Sequence, residues 1–183
     1  MKTFIVLFVL LAGLTANVFG QGQVLLGNNS SSLVYYLNPQ TPAPVGSLNV
    51  QLYAAAGSNQ PQSSLVAVGP IVGIGPVDGR IQSTTVDVPQ APNGQVATFQ
   101  IWVWSNQYAT RNQAFAAGGF VGASQLFESN TSYQAPGDPP PTAVILAGKF
   151  PAFGVVPIPE PTSFALTFLG SCCLLFHVRK KLG

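Results

Sequence analysis

The amino-acid sequence predicts an all-β protein, an antiparallel β-sandwich of Greek-key or jelly-roll type, with an N-terminal signal helix and a C-terminal transmembrane helix. The middle of the 183-residue chain consists of short runs rich in β-branched and aromatic residues, and turn residues separate these runs. No helical periodicity lies between them. The two segments with the composition of a signal or membrane helix lie at the two termini.

The N-terminal segment, residues 1–20, has the pattern of a secretory signal peptide. Lys2 is followed by an apolar stretch over residues 4–14, and then by small residues that fit a cleavage site near Gly20 and Gln21. As a helix, this apolar stretch would span about 17 Å, against a hydrocarbon core of about 30 Å. A buried core helix and a permanent anchor are the alternatives, and the short length argues against the anchor.

Alternating side chains predict strands in the middle of the chain. In residues 48–54 (LNVQLYA), the apolar residues occupy every second position and therefore share one face. In residues 95–104 (QVATFQIWVW), Phe99 and Ile101 belong to one face, and Trp102 and Trp104 to the other. Further strands are predicted at residues 23–26, 33–37, 65–72, 80–88, 119–127 and 142–147, and a helical turn at residues 112–119.

Turn residues divide these strands. Asp78 and Gly79 predict a hairpin turn, and Asn93 and Gly94 predict a turn that joins the next two strands. The stretch 69–79 (GPIVGIGPVDG) lacks the third glycine, the following helix and the lysine of a phosphate-binding loop. Its glycines and prolines instead predict a bulged or kinked strand that enters the hairpin.

The C-terminal residues 157–183 combine three elements in order: a proline-rich motif, an apolar segment and a basic cluster. The motif is formed by Pro159, Glu160 and Pro161, and the basic stop cluster by Arg179, Lys180 and Lys181. The apolar residues 164–178 would make a helix of about 22 Å, which is short for a span unless the bilayer thins locally. Basic residues stay on the cytoplasmic side, so the preceding domain is expected outside.

These three elements, at the C-terminus and behind a signal peptide, resemble the PEP-CTERM sorting signal of Gram-negative bacteria. The resemblance implies that a membrane enzyme, an exosortase, recognises the tail, cuts near the motif and releases or transfers the protein. It also links the chain with exopolysaccharide and biofilm. An ordinary tail anchor, in which the prolines are only a stiff spacer, is the alternative.

The sequence thus divides into a signal peptide at residues 1–20, an exported β-sandwich domain at 21–156 and a sorting signal at 157–183. The formal net charge is +2, but the basic residues cluster at the ends. From residue 21 to 159 there are three basic and four acidic residues, a net charge of −1. Because nucleic-acid binding depends on clustered Lys and Arg, this composition argues against nucleic acid as a partner.

The exported domain has few groups for catalysis. The single histidine, His177, and both cysteines, Cys172 and Cys173, lie in the tail, so neither a histidine-dependent nucleophile nor a common zinc site is available in the domain. Its carboxylates are Asp78, Asp87, Glu128 and Asp138. A pair of them could serve glycoside hydrolysis, but turn and loop roles explain them better. We expect no enzyme, no metal and no cofactor.

The expected function is that of a structural or interaction protein. The chain would be exported across the inner membrane by the secretion machinery, held by its C-terminal helix, sorted by an exosortase, and delivered to the cell envelope or extracellular matrix. The first alternative is a carbohydrate-binding module for exopolysaccharide, with Trp102 and Trp104 as the ligand platform. A core role for the two tryptophans is favoured over the platform. A surface glycoside hydrolase is the second alternative.

Overall fold

The computed structural model describes residues 22–37, 40–133 and 141–158. Within these ranges the chain forms ten β-strands, one 3₁₀ turn and one short α-helix. The strands are β1 Gly22–Leu26, β2 Val34–Tyr36, β3 Leu48–Ala56, β4 Val66–Gly73, β5 Thr84–Val88, β6 Val96–Ser105, β7 Phe120–Ala123, β8 Phe127–Asn130, β9 Val144–Ile145 and β10 Phe153–Pro157. The 3₁₀ turn is Gln62–Ser64 and the helix, α1, is Arg111–Ala116. The predicted all-β class is therefore confirmed.

The strands form two sheets, and both sheets are mixed. The smaller has the order β5-β1-β9, and the larger has the order β2-β10-β7-β6-β3-β4, with β8 also paired to β6. Strand β1 runs parallel to β9, and β10 runs parallel to β2. The prediction of a wholly antiparallel architecture is wrong at these two pairs. Alternation in a sequence shows which face a residue occupies, but it carries no information on the direction of a distant neighbour.

The larger of two apolar clusters receives side chains from both sheets. On β3 the alternate residues Leu48, Val50 and Leu52 are buried, as predicted, and they face the same interior as Phe99 and Ile101 of β6. The smaller sheet adds its own buried side chains to the same cluster: Val24, Leu26, Val86 and Val88. Each fully buried side chain of this size contributes about 1.5–3 kcal/mol of hydrophobic free energy.

The predicted strand at residues 119–127 is divided in two by a bulge. Strands β7 and β8 follow one another along the same edge of β6. Between the pairs Trp102–Ala123 and Phe99–Phe127, β6 contributes two residues and the partner segment three. At the bulge, the Oγ of Ser124 accepts a hydrogen bond from the Ile101 N–H at 2.9 Å. The serine side chain thus provides an acceptor for this backbone donor of β6.

The predicted bulged strand and hairpin are both present. Along β4, the register shifts between Val50 and Leu52 of β3, and Gly69 has a φ of +67° at this point. The following chain turns at Asp78 and Gly79 and returns through a bridge between Ile74 and Ile81. Strands β4 and β5 then separate into different sheets. The hairpin therefore connects the two sheets rather than extending one of them.

The turn predicted at Asn93 and Gly94 is also formed, and both residues have positive φ values. It leads the chain from β5 in the smaller sheet to β6 in the larger one. The two flanking strands are consequently not paired with each other.

Strand β10 was not among the predicted strands. It lies between β2 and β7 in the larger sheet, and Val155 is buried in the core. The next residue after the strand, Ile158, still donates its N–H to the carbonyl oxygen of Gly119 at 3.3 Å. The folded domain thus extends to Ile158, beyond the predicted boundary at residue 156.

The predicted signal peptide with Gly20 and Gln21, the Pro159–Pro161 motif, the apolar segment 164–178 and the basic cluster lie outside the described residues. Within the described ranges, none of the helical segments has the length and apolar composition needed to cross a bilayer.

Candidate functional site

The two tryptophans of the predicted platform have different environments. The side chain of Trp104 is completely buried and packs with Ala114 of α1 and Val121 of β7. Its Nε1 donates a hydrogen bond to the carbonyl oxygen of Tyr108 at 3.0 Å. The paired platform is therefore wrong for Trp104, because α1 and its preceding loop cover this end of the sheet face. The core role that the sequence favoured is correct for this residue.

Trp102 is only half-buried and forms the centre of an aromatic and cationic cluster. The guanidinium carbon of Arg111 lies 4.2 Å from the centroid of the Trp102 ring and 5.1 Å from that of Tyr53. The Tyr53 and Trp102 rings meet edge to face, with centroids 6.5 Å apart. On the other side, Trp102 Nε1 donates to Gln100 Oε1 at 2.9 Å. We refer to Arg111, Trp102 and Tyr53 as the arginine stack.

Strand register brings the two aromatic residues of the arginine stack together. Strands β3 and β6 are antiparallel neighbours, and Gln51 of β3 is directly opposite Trp102. Tyr53 is two residues further along β3, so it is the diagonal neighbour of Trp102 on the same face. Diagonal neighbours in a sheet are within reach of one another when their side chains are large.

A fixed loop places Arg111 over this pair. The carbonyl oxygen of Tyr108 accepts hydrogen bonds from both Trp104 Nε1 and Asn49 Nδ2, each at 3.0 Å. Thr110 then caps α1, since its Oγ1 accepts from the Gln113 N–H at 3.2 Å. Arg111 is the first residue of the helix. The loop is thus attached to β3 and β6, the same strands that carry the aromatic rings.

Two open clefts flank the arginine stack and share Gln62, Trp102 and Arg111. The first, of about 490 Å³, is lined by Tyr53, Gln62, Ser63, Leu65, Trp102 and Arg111. The second, of about 520 Å³, is more apolar and includes Phe115, Val121, Val156 and Ile158. Neither cleft contains a described acidic residue.

The Arg111 side chain has unused hydrogen-bonding capacity. It is half-buried, yet within residues 22–37, 40–133 and 141–158 it forms neither a hydrogen bond nor an ion pair. A guanidinium carries five N–H donors in a planar fork that suits carboxylate and phosphate oxygens. The cluster can therefore offer a fixed positive charge, planar donors and aromatic surface to a ligand.

The carboxylates proposed for hydrolysis have separate partners. Asp78 Oδ1 accepts from the Val45 N–H at 2.9 Å, and Asp87 Oδ1 accepts from Gln23 Nε2 at 2.8 Å. Glu128 Oε1 accepts from the Asn59 N–H at 2.7 Å. Asp138 lies outside the described residues. The structure thus places none of the described carboxylates in the two clefts, and Asp87 is the only described carboxylate that lines a third cleft, between β4 and β5.

Sequence reasoning identified Trp102 but missed the other two members of the arginine stack. The alternation along residues 48–54 correctly places Tyr53 on the outer face of its strand, but nothing local connects it with Trp102. For Arg111 a signal existed: it is one of only three basic residues between positions 21 and 159, and it directly follows a capping threonine.

Comparison with known proteins yields no assignment, since no protein-family model matches the chain and neither the curated proteins nor the solved structures provide a significant match.

Proposed function

We propose that this chain is an exported cell-surface or extracellular-matrix protein of structural or interaction type. In this proposal residues 1–20 direct export, and residues 157–183 anchor the chain until an exosortase processes it. The sequence features of both termini support the proposal: an apolar core with a cleavage site at one end, and a motif, an apolar segment and a basic cluster at the other.

The observation that carries this proposal is the position of the last strand. Strand β10 ends at Pro157 and Ile158 is still bonded to Gly119, so the Pro159–Pro161 motif directly follows the last described residue, which is bonded to the sheet. A cut within or after the motif would leave every described strand intact. Two prolines in the motif also disfavour helix, so we expect an extended chain there, which suits access by a protease.

We further infer that the two sheets form a β-sandwich. Supporting this, the inward side chains of β1 and β5 belong to the same apolar core as those of β3 and β6. Buried alternate residues on both sheets are what facing layers require.

A carbohydrate-binding module is the second candidate function. The arginine stack favours it, because aromatic rings beside polar side chains in an open cleft are typical of saccharide sites. The platform in this proposal is Trp102 with Tyr53 and not Trp102 with Trp104. Gln62 and Ser63 would supply neutral hydrogen-bonding groups.

Fractionation of a Gram-negative host that has an exosortase tests the first proposal. An epitope inserted at the exposed turn around Gly46, where an added Cβ atom would meet nothing within 4 Å, reports the β domain. We expect the domain in the envelope and medium. Replacing Pro159, Glu160 and Pro161 together by alanine should retain it in the inner membrane. The matched control replaces Pro139 and Pro140 by alanine and should leave sorting unchanged.

Two results would contradict the proposal. Recovery of the β domain in the cytosol would contradict export. Release of the motif variant at the same level as the unaltered chain would contradict sorting through the motif.

A further inference from the structure

We propose that the cleft beside Arg111 binds a carboxylate-bearing saccharide, with Arg111 as the residue that binds the carboxylate. This inference rests on the second candidate function, the carbohydrate-binding module, and it specifies the chemical class of the ligand.

The first argument is the state of the Arg111 side chain. Burying part of a guanidinium removes water from its donors, and such groups normally recover hydrogen bonds from the protein. Here the packing partners within the described residues are the rings of Trp102 and Tyr53, which contact the face of a cation but accept no conventional hydrogen bond. The N–H donors are therefore held in place and left available for an acceptor that enters the cleft.

The second argument concerns the charge of that acceptor. The other two basic residues of the described chain, Arg80 and Lys149, do not line either cleft, and Arg80 instead donates to the carbonyl oxygen of Asn28 at 2.6 Å. One guanidinium without a second cation matches a monoanion. A carboxylate is a planar monoanion that can accept two parallel N–H bonds, whereas a phosphate carries more charge.

The third argument concerns the rest of the ligand. Gln62, shared by both clefts, and Ser63, in the first, present an amide and a hydroxyl, which pair with the hydroxyl groups of sugars. The two clefts share Gln62, Trp102 and Arg111, so they adjoin one another at the arginine stack and together offer room for more than one sugar ring. The apolar faces of sugar rings fit the Tyr53 ring in the first cleft and Phe115 in the second.

The test uses the full chain in a nonionic detergent and two forms of one polymer, polygalacturonate and its fully methyl-esterified derivative. Binding is measured by calorimetry at constant ionic strength. We expect the acid form to bind at least about tenfold more tightly, because a hydrogen bond to a charged group is the stronger kind. Arg111→Gln should remove this preference, and Arg111→Lys should retain only part of it. Lys149→Gln, which removes the same charge outside the cleft, should have no effect.

Several outcomes would overturn the inference. Equal binding of the acid and ester forms would show a saccharide site without a carboxylate subsite, so the second candidate function would survive. Binding of hexaglutamate as tight as that of polygalacturonate would assign the site to acidic peptides. If neither polymer binds, both the carboxylate subsite and the carbohydrate-binding module are contradicted. The proposal of export and sorting would be unaffected.

Discussion

Trp104 donates its indole N–H to the carbonyl oxygen of Tyr108, 3.0 Å away. This bond ties the middle of the 106–110 loop to β6, and α1 begins directly after that loop. Trp104 is therefore covered, whereas Trp102, two residues earlier on the same strand face, remains half-buried next to Arg111. The two tryptophans have separate roles: one fixes the loop, and the other lies at the cleft that the loop creates.

The first prediction follows from this difference in burial. Trp104→Ala should lower the free energy of unfolding by about 3–5 kcal/mol, the usual cost of deleting a buried large aromatic side chain. Trp102→Ala should cost clearly less, because part of its ring is already exposed. Urea denaturation followed by circular dichroism measures both values. Equal losses in the two variants would refute the separate roles.

A second prediction concerns the contact between the sheets at Gly69. A Cβ atom on Gly69 would lie 2.7 Å from Cγ1 of Val86, and the residue also has a φ of +67°. Gly69→Ala should destabilise the fold by about 1–3 kcal/mol, through backbone strain and this overlap.

Gly46 provides the matched control, since its φ is +72° and nothing lies within 4 Å of its Cβ position. Gly46→Ala introduces the backbone strain without a steric overlap. It should therefore lower the free energy of unfolding by less than Gly69→Ala does. If thermal unfolding shows the same loss for both, β4 and β5 do not approach each other as closely as described.

The third prediction concerns the bulge between β7 and β8. Ser124 is buried, and its Oγ is the acceptor for the Ile101 N–H in the middle of β6. Ser124→Ala would leave that buried donor without a partner, at a cost of about 1–3 kcal/mol. Amide hydrogen exchange at Ile101 should accelerate as well. The control is Ser129→Ala, which removes only a hydrogen bond from the Ser129 hydroxyl to the neighbouring carbonyl oxygen of Asn130. If Ser129→Ala lowers the free energy of unfolding as much as Ser124→Ala does, the role of Ser124 as acceptor for the Ile101 N–H is contradicted.

Much of the fold could be predicted from local sequence. The alternation in β3 and β6 correctly identified the core-facing residues, among them Leu52 and Phe99, because each strand has one face toward the interior. The glycines and prolines before Asp78 correctly indicated a bulge and a hairpin, since these residues have strong local preferences. These predictions needed no knowledge of distant contacts.

The rest depended on contacts between distant parts of the chain. The parallel pairing of β2 with β10 joins segments more than a hundred residues apart, and no local pattern encodes it. The arginine stack is similar: Tyr53, Trp102 and Arg111 meet only because β3 pairs with β6 in one register and the loop after β6 folds back. A two-residue shift that placed Asn49 opposite Trp102 would have separated the rings while leaving the same face buried.

The fourth prediction concerns the C-terminal limit of the folded domain. A chain that ends after Ile158 should unfold cooperatively, because it retains all the described strands. A chain that ends after Ala152 loses β10, which pairs with β2 and β7 and buries Val155, so it should be unfolded or aggregated. Circular dichroism melting distinguishes the two, and indistinguishable melting curves would show that β10 does not belong to the core.

Intact-mass spectrometry of the chain recovered from its host is the most direct test of export and sorting. We predict that the form in the envelope and medium begins near Gln21 and ends after Ile158, without the apolar segment 164–178. A folded chain found in the cytosol with residues 1–20 still attached, or an envelope form that keeps residues 164–183, would contradict the proposal.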